Sequence, residues 1–492
     1  MRISLYNYIT DPLLPQKDGV NLAHENITRL LQDNTSVDLT ISFHDFNRLL
    51  ADENYARREL SGCDYVVSNV GPHAHYYFYL REKLNLSFRI LRDVRTAIWS
   101  SYLFQEYLCT PYLRETDILM VASHYTRGIY EKLFPALKQG NTFRCYPLAV
   151  CFPDELPARS GLAQDKETIC LGYIGRLSED KNFPDLVELL IRLNLENGTT
   201  SRERENGESA KSEECGINTK YKLVACGEVH SESCSPTSVE EKIHRALGEG
   251  DYFEYMLPRK NRDIWELYRS FDLLIFPSTS NLETFGRVLI EASYAELPVV
   301  CGEHAAAAEL MPPSSLCGVD YKYNFPFSTH FDHNLGKVNI ADMVRAITNG
   351  GLSPSSCQRE YAAHPEMFLD VLTTPLTEIS VHLRKPLSLT ASQKAFIDSL
   401  RVSMPPPLTM KRADRLIETL TQWFLALQDK RATEYPQLLT ELMDNSKHAE
   451  RTQRFIDKCA VTNSDFTNVG GIDIELCHIA DFYPEFYMTP QF

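Results

Sequence analysis

The sequence predicts an α/β protein made of two doubly wound domains facing a cleft, followed by a mainly helical carboxyl-terminal extension. Three observations carry this reading. Short apolar runs ending in Gly or Pro alternate with helix-periodic stretches, as layered α/β units do. The alternation stops in a connector at about 151–166, containing Pro153, Pro157 and Gly161, and then restarts. At 492 residues the chain also exceeds what one core supports, because single cores stop growing at roughly 250–300 residues.

Taken in order, Ile3 to Tyr6 reads as a strand and Asn21 to Leu31 as a helix, with Leu22, Asn26, Ile27, Leu30 and Leu31 spaced for one face. Val37 to Phe43 alternates like a half-buried strand. Tyr65 to Ser68, Phe88 to Leu91 and Ile118 to Ala122 follow, the last apolar enough for a buried parallel strand. Past the connector, Ile169 to Ile174 ends at Gly175, Tyr221 to Cys226 at Gly227, Phe271 to Phe276 at Pro277 and Leu297 to Cys301 at Gly302. Asp185 to Leu195 is helix-like. Residues 196–220 turn Gly-, Ser-, Glu- and Lys-rich and read as a mobile, solvated insertion. The expected domains are 1–152, 167–350 and 351–492. In the last, Ser392 to Val402, Arg412 to Gln428 and Tyr435 to Cys459 are helical candidates and Ile472 to Ile479 alternates like a strand.

Composition narrows the function. A formal net charge of −16 repels phosphate backbones, so nucleic acid is not an expected partner. The amino terminus reads as a strand and not as a signal peptide, and no run approaches 18 apolar residues, the minimum expected of a membrane span. The 13 cysteines are scattered without a C-x-x-C pair, which predicts free thiols in a reducing, cytoplasmic setting and neither zinc nor a disulfide framework. Oligomeric state is not legible.

Two segments carry chemistry. Gly175-Arg-Leu-Ser-Glu-Asp-Lys-Asn182 follows a strand directly, so the glycine allows close backbone approach while Arg176 and Lys181 reach one anion. Taken alone, a solvated loop with two cations explains it equally well. The second runs from Pro277 to Val300. A helix is expected from about Thr284 to Ala295, with free amides around Thr284, Phe285 and Gly286 facing a phosphate. Glu283 and Glu291 are eight residues apart, and at about 100° per residue they return to one face. A bare E-x7-E is common on helices; here it stands in a longer string.

That string, Glu283-Thr-Phe-Gly286, Glu291-Ala292 and Pro298-Val-Val300, closely resembles the donor-site signature of the retaining nucleotide-sugar glycosyltransferases of family 4, glycosyl transferases group 1, which have the GT-B fold of two Rossmann-like domains. Gly175-Arg-Leu177, Lys181-Asn182, Leu223 to Gly227 and Leu257-Pro-Arg259 fall where that family has related blocks, so the resemblance spans about 170 residues. It implies that Arg176 and Lys181 bind the diphosphate, Glu283 holds sugar hydroxyls and Glu291 the ribose diol. Phe285, Gly286 and Arg287 would bring amides to the sugar and phosphates, and Pro258 and Arg259 would meet the base. The implied reaction is retaining, metal-independent transfer from a UDP- or GDP-sugar, a co-substrate and not a cofactor, to an acceptor hydroxyl. A non-catalytic sugar-nucleotide-binding subunit and an epimerase or phosphorylase of the same architecture are the rival readings.

The amino-terminal half resembles the family in layout only. The Gly-Gly loop is reduced to Lys17-Asp-Gly-Val-Asn21, leaving Gly19 either to approach a ligand or to serve a plain turn. Arg92-Asp93 stands where the family often has His-Asp near the reacting carbon. Arginine cannot act as a base at neutral pH. His73, His75 and His124 each follow a strand and are acceptor-side candidates, and the His73-x-His75 pair lacks a third ligand for a metal. Arg81, Lys83, Arg89, Arg92 and Arg95 make the 76–108 segment basic, which suggests a charged core edge, a peripheral membrane contact or an anionic acceptor. Glu296 replaces a glycine before Leu297-Pro298.

Overall fold

In the computed structural model, the apolar runs of the first part of the chain pair into one parallel sheet. Its strands are β1 (Arg2–Tyr6), β2 (Thr40–His44), β3 (Tyr65–Ser68), β4 (Arg89–Val94), β5 (Ile118–Val121) and β6 (Phe143–Cys145), in the spatial order β2-β1-β3-β4-β5-β6. Helices α1 (Gly19–Asp33), α2 (Phe46–Ala51), α3 (Glu53–Leu60), α4 (His75–Lys83), α5 (Ser100–Cys109) and α6 (His124–Leu133) connect them. The structure describes residues 1–6, 19–35, 37–69, 74–95, 100–134, 143–145, 156, 167–205, 219–257, 261–322, 334–349, 369, 372–373, 387–400, 409–411, 413–418 and 421.

A second parallel sheet takes β7 (Thr168–Ile174), β8 (Lys220–Cys226), β9 (Phe253–Met256), β10 (Leu273–Phe276), β11 (Val299–Gly302) and β12 (Leu316–Cys317), in the order β12-β11-β10-β7-β8-β9. Its helices are α7 (Phe183–Glu205), α8 (Pro236–Leu247), α9 (Asn261–Ser270), α10 (Arg287–Tyr294) and α11 (Ala307–Leu310). An antiparallel pair, β13 (Val319–Tyr321) and β14 (Gly336–Val338), then leads to α12 (Ile340–Thr348) and α13 (Ala391–Ser399). Two doubly wound parallel sheets with helices are the GT-B arrangement expected above. No helix of the described residues is long and apolar enough to cross a membrane.

The strand patterns follow from position in the sheet. Every residue of β3, β5, β10 and β11 is buried, because helices cover both faces, and such strands read as unbroken apolar runs. Strand β2 lies at the edge and is partly exposed, and its burial does not follow the alternation, for apolar Phe43 is exposed and His44 is buried. Burial of these apolar runs is the main driving force, at about 25 cal/mol per Å² removed from water.

One expectation needs correction. Residues 196–205 are not loop: α7 continues to Glu205. Asn194 binds both the amide and the carbonyl of Tyr221, and Asn197 donates to Thr219 O at 3.0 Å, so that end of the helix is tied to the start of β8. Residues 206–218 lie outside the described set, as do most of the connector, 435–459 and 472–479. In the basic 76–108 segment the structure shows the charged core edge among the expected readings. Arg81 is fully buried and bidentate on Asp117, Arg92 pairs with Glu106, and Arg95 pairs with Asp93. Lys83 meets Glu53 at 2.7 Å, and Arg89 donates to the Tyr65 hydroxyl. Among the described residues, these cations are matched within the fold, as a charged core edge requires.

The two sheets meet through their carboxyl edges. Glu309, at the α11 end of the second sheet, accepts a 2.7 Å bond from the His124 amide at the start of α6. The Tyr125 ring lies edge-on to His304 at 5.2 Å, and the Thr284 hydroxyl donates to Arg95 O at 3.3 Å. Helix α13 bridges the units. Its Phe396 stacks on Tyr321, Gln393 donates to Ala305 O, and Ile397 packs against Gly128 of α6. Farther on, Asp414 and Glu418 accept bonds from Tyr112 and Tyr79 of the first unit.

Candidate active site

Strand order in the second sheet reverses between β7 and β10, and ligands of open α/β sheets bind outside the carboxyl ends at such a point. The two chemistry-bearing segments are the loops that leave those two strands. Between β7 and β8 the backbones approach so closely that a Cβ on Gly227 would stand 1.8 Å from Gly175 O, so no side chain fits there. The Gly175 loop is pinned by Asn182, which adopts φ 56° and whose amide donates to Pro277 O and the Thr279 hydroxyl, both at 2.9 Å. Asn182 thereby locks one loop to the other.

That lock brings Lys181 to Glu283, Nζ to Oε2 at 2.7 Å, across 102 residues of sequence. The other Glu283 oxygen accepts the Gly286 amide at 2.9 Å. Burial raises the Glu283 carboxyl, but Lys181, His304 and the Gly286 amide outweigh it and hold it below the ordinary range. Glu283 is therefore an anion at neutral pH, with both oxygens already oriented. Beside it Arg176 binds Asp180 at 3.0 Å, and Asp180 is lowered in turn, against its burial, by Arg176 and the Ser178 hydroxyl. Arg176 keeps 28% of its side chain exposed, whereas Lys181 and Glu283 keep 16% and 15%.

Helix α10 begins at Arg287, three residues later than expected. Gly286 caps it at φ 83°, a conformation that needs glycine, and Glu283 occupies the Gly286 amide. Thr284, Phe285 and Gly286 thus belong to a turn, and Thr284 reaches Arg95 of the first unit. Within the helix, Glu291 accepts from Arg287 Nε at 2.6 Å and from the Tyr268 hydroxyl at 2.7 Å. Glu283 and Glu291 are held by separate partners. Each carboxylate oxygen retains a second acceptor direction for a ligand hydroxyl.

Sequence reasoning passed over Asp180 and His304. His304 is 1% exposed, bonds Ser280 O and the Tyr321 hydroxyl at 3.1 Å each, and is pushed down to about 4 chiefly by burial. Its signal was its place just after β11; Asp180's was its spacing from Arg176, i to i+4.

On the first sheet the expected residues scatter. Arg92 lies inside β4 with its side chain 3% exposed, bound to Glu106 and to the carbonyls of Ser68 and Asp93. That is the setting of a structural cation, and the residue leaving the strand toward the second unit is Arg95. His75 is buried at the start of α4, with its ring 4.4 Å from that of Tyr76. His124 opens α6 facing Glu309, its Nε2 3.8 Å from that carboxylate. Gly19 is the first residue of α1. His73, Pro258 and Arg259 lie outside the described residues. Among the described residues, no three His, Cys, Asp or Glu side chains gather around a metal-sized site.

Residues 154–313 match the family described as glycosyl transferases group 1. No curated protein sequence matches the chain. Among solved structures the chain is similar to Anabaena HepE in complex with UDP, at 12% identity and TM-score 0.43 over 78% of this chain and 98% of that one. It is also similar to the lipopolysaccharide outer core galactosyltransferase WaaB (13%, TM-score 0.44, 78% and 99% covered). A third is sucrose-phosphate synthase from Thermosynechococcus elongatus (11%, TM-score 0.43, 86% and 99% covered).

Proposed function

We propose that the chain is a metal-independent, retaining glycosyltransferase that moves a sugar from a nucleoside diphosphate sugar to an acceptor hydroxyl. The supporting observation is the Lys181–Glu283 pair at the β7/β10 switch point, with Arg176 alongside. The family match over residues 154–313 supports glycosyl transfer as the reaction class.

In this reading the bond from the anomeric carbon to the diphosphate oxygen breaks, and its electron pair leaves on the diphosphate. Arg176 and Lys181 stabilise that charge, which grows only toward the transition state, so their effect falls on turnover. Glu283 accepts hydrogen bonds from sugar hydroxyls while keeping Lys181 in place, and Glu291 accepts those of the ribose. The acceptor oxygen bonds to the anomeric carbon from the face the diphosphate leaves, and its proton passes to that diphosphate. Two local cations supply the charge stabilisation that a metal would otherwise provide.

The test is a panel of UDP- and GDP-sugars with EDTA present, followed by thermal shift and donor hydrolysis, alongside Lys181→Ala and Glu283→Ala. One donor is expected to stabilise the wild type and be hydrolysed. Losing either side chain should slow turnover by about 10²–10³-fold, the scale of losing one charge-stabilising group. Binding that requires a divalent metal, or no binding at all, overturns the proposal.

A further inference from the structure

We infer that Asn69, oriented by His24, forms a sugar-hydroxyl subsite on the first sheet, opposite the donor loop; this rests on the transferase reading. The order β2-β1-β3 places the reversal of the first sheet between β1 and β3. Asn69 is the residue directly after β3, and His24 lies on α1, which follows β1. The pair therefore straddles the point where an open sheet binds ligands. Arg95 leaves the neighbouring β4, is clamped by Asp93 at 2.6 Å, and receives the Thr284 hydroxyl of the donor loop on its carbonyl. This links the cluster to the donor loop.

Hydrogen-bond valence identifies the ligand chemistry. Asn69 is 4% exposed and His24 2% exposed, and the Asn69 amide nitrogen lies 2.8 Å from His24 Nδ1. Burial holds His24 down to about 4, so the ring is neutral and carries one N–H. His24 also bonds the Tyr6 carbonyl, which only accepts, so that N–H points there. Nδ1 must then accept from the Asn69 NH₂, which turns Asn69 Oδ1 away from the ring. Oδ1 is buried without a hydrogen-bond partner among the described residues. A buried acceptor left unfilled is costly and asks for a donor. An ionised phosphate offers only acceptors, whereas a sugar hydroxyl offers the missing hydrogen. The subsite therefore selects a neutral hydroxyl group, from the acceptor or from the transferred sugar itself.

The experiment uses the full chain and titrates four probes. These are the donor found in the panel above, its sugar-free nucleotide, neutral methyl hexosides, and hexose 6-phosphates, the last two with and without nucleotide. Wild type is compared with Asn69→Leu and Asn69→Asp, and nucleotide affinity and Tm report whether each variant folds. Asn69→Leu should keep nucleotide affinity within about twofold and weaken a sugar-bearing probe about tenfold, one hydrogen bond's worth. Loss confined to the donor's sugar increment makes the transferred sugar the source, and loss confined to the hexosides makes it the acceptor. Asn69→Asp keeps an accepting oxygen but loses the NH₂ that His24 Nδ1 accepts, so it should bind the sugar probe better as pH falls and His24 takes up a proton to bond the new carboxylate, a pH dependence that a purely structural Asn69 does not predict. Unchanged affinities in Asn69→Leu, or no sugar probe binding with or without nucleotide, overturn the inference and leave Oδ1 to a water. Failure of the bare nucleotide alone to bind counts against the transferase reading, while the hexoside arm still decides the subsite.

Discussion

Glu296 holds φ at 53°, immediately after the last turn of α10, where its amide and that of Leu297 close back onto Ser293 and Ala292. A side chain in this left-handed conformation costs about 1–2 kcal/mol, partly offset by the roughly 0.5–1 kcal/mol of extra chain entropy that glycine loses on folding. Glu296→Gly is therefore expected to stabilise the protein by about 0.5–1 kcal/mol, read as a higher denaturation midpoint with unchanged cooperativity. A lower midpoint would mean that contacts of the Glu296 side chain outweigh its backbone strain. The opposite change belongs at Gly286, whose φ of 83° caps α10, and where an added Cβ would meet Leu289 at 2.9 Å. Gly286→Ala should destabilise by about 1–2 kcal/mol and should also shift the Glu283 carboxylate bonded to its amide, so donor affinity falls with stability.

At the scale of elements, α4 is tied to the start of β5 by a buried ion pair. Asp117 accepts both Arg81 nitrogens and also the amides of Ile90 and Arg114, at 2.9 Å each. Such pairs add little when intact but leave an uncompensated buried charge when halved, at about 3–5 kcal/mol. Arg81→Met should cost that much, with circular dichroism melting as the measurement; a loss under about 1 kcal/mol would show that Asp117 finds other partners or a proton. Helix α6 shows the same logic between units. Its first amide is capped by Glu309 of the second unit, so a negative charge sits at the positive end of the helix. Glu309→Gln keeps an accepting oxygen and loses the charge, and a fall in stability of about 0.5–1 kcal/mol is expected, shrinking in high salt.

Across the whole molecule, acid stability is set by histidines held neutral. Burial pushes His24 and His304 down to about 4 and His44 to about 3. The unfolded chain takes up protons below about 6.5 while these folded sites do not, so stability is full above that pH and is lost as pH falls toward 4. Each site contributes up to about 1.4 kcal/mol per pH unit in that window. The midpoint of urea unfolding should therefore drop steeply between pH 7 and pH 5; a flat profile there would mean the rings are protonated in the folded state. Two of the three lie near the facing carboxyl edges, His24 beside Asn69 and His304 beside Ser280, so acid should loosen the region where the units meet.

Local patterning by itself determined the alternation of strands and helices, the buried β3, β5, β10 and β11, and the two segments that carry Arg176, Lys181, Glu283 and Glu291, because periodicity and a dense motif are properties of neighbouring residues. Only the tertiary structure decided which residues share a partner. Lys181 meets Glu283 because Asn182 bonds the Pro277 loop, and nothing local encodes that contact across a separation of 102 residues. Arg92 and Arg95 look alike in sequence, yet Arg92 lies within β4 with its side chain on Glu106, whereas Arg95, just past the strand, turns its side chain onto Asp93 and offers its carbonyl to Thr284, and only the assembled sheet decides these partners. His304 and Asn69 carried no motif at all. Their importance comes from strand order, which places them at carboxyl edges, and strand order is set by packing between segments that local sequence does not record.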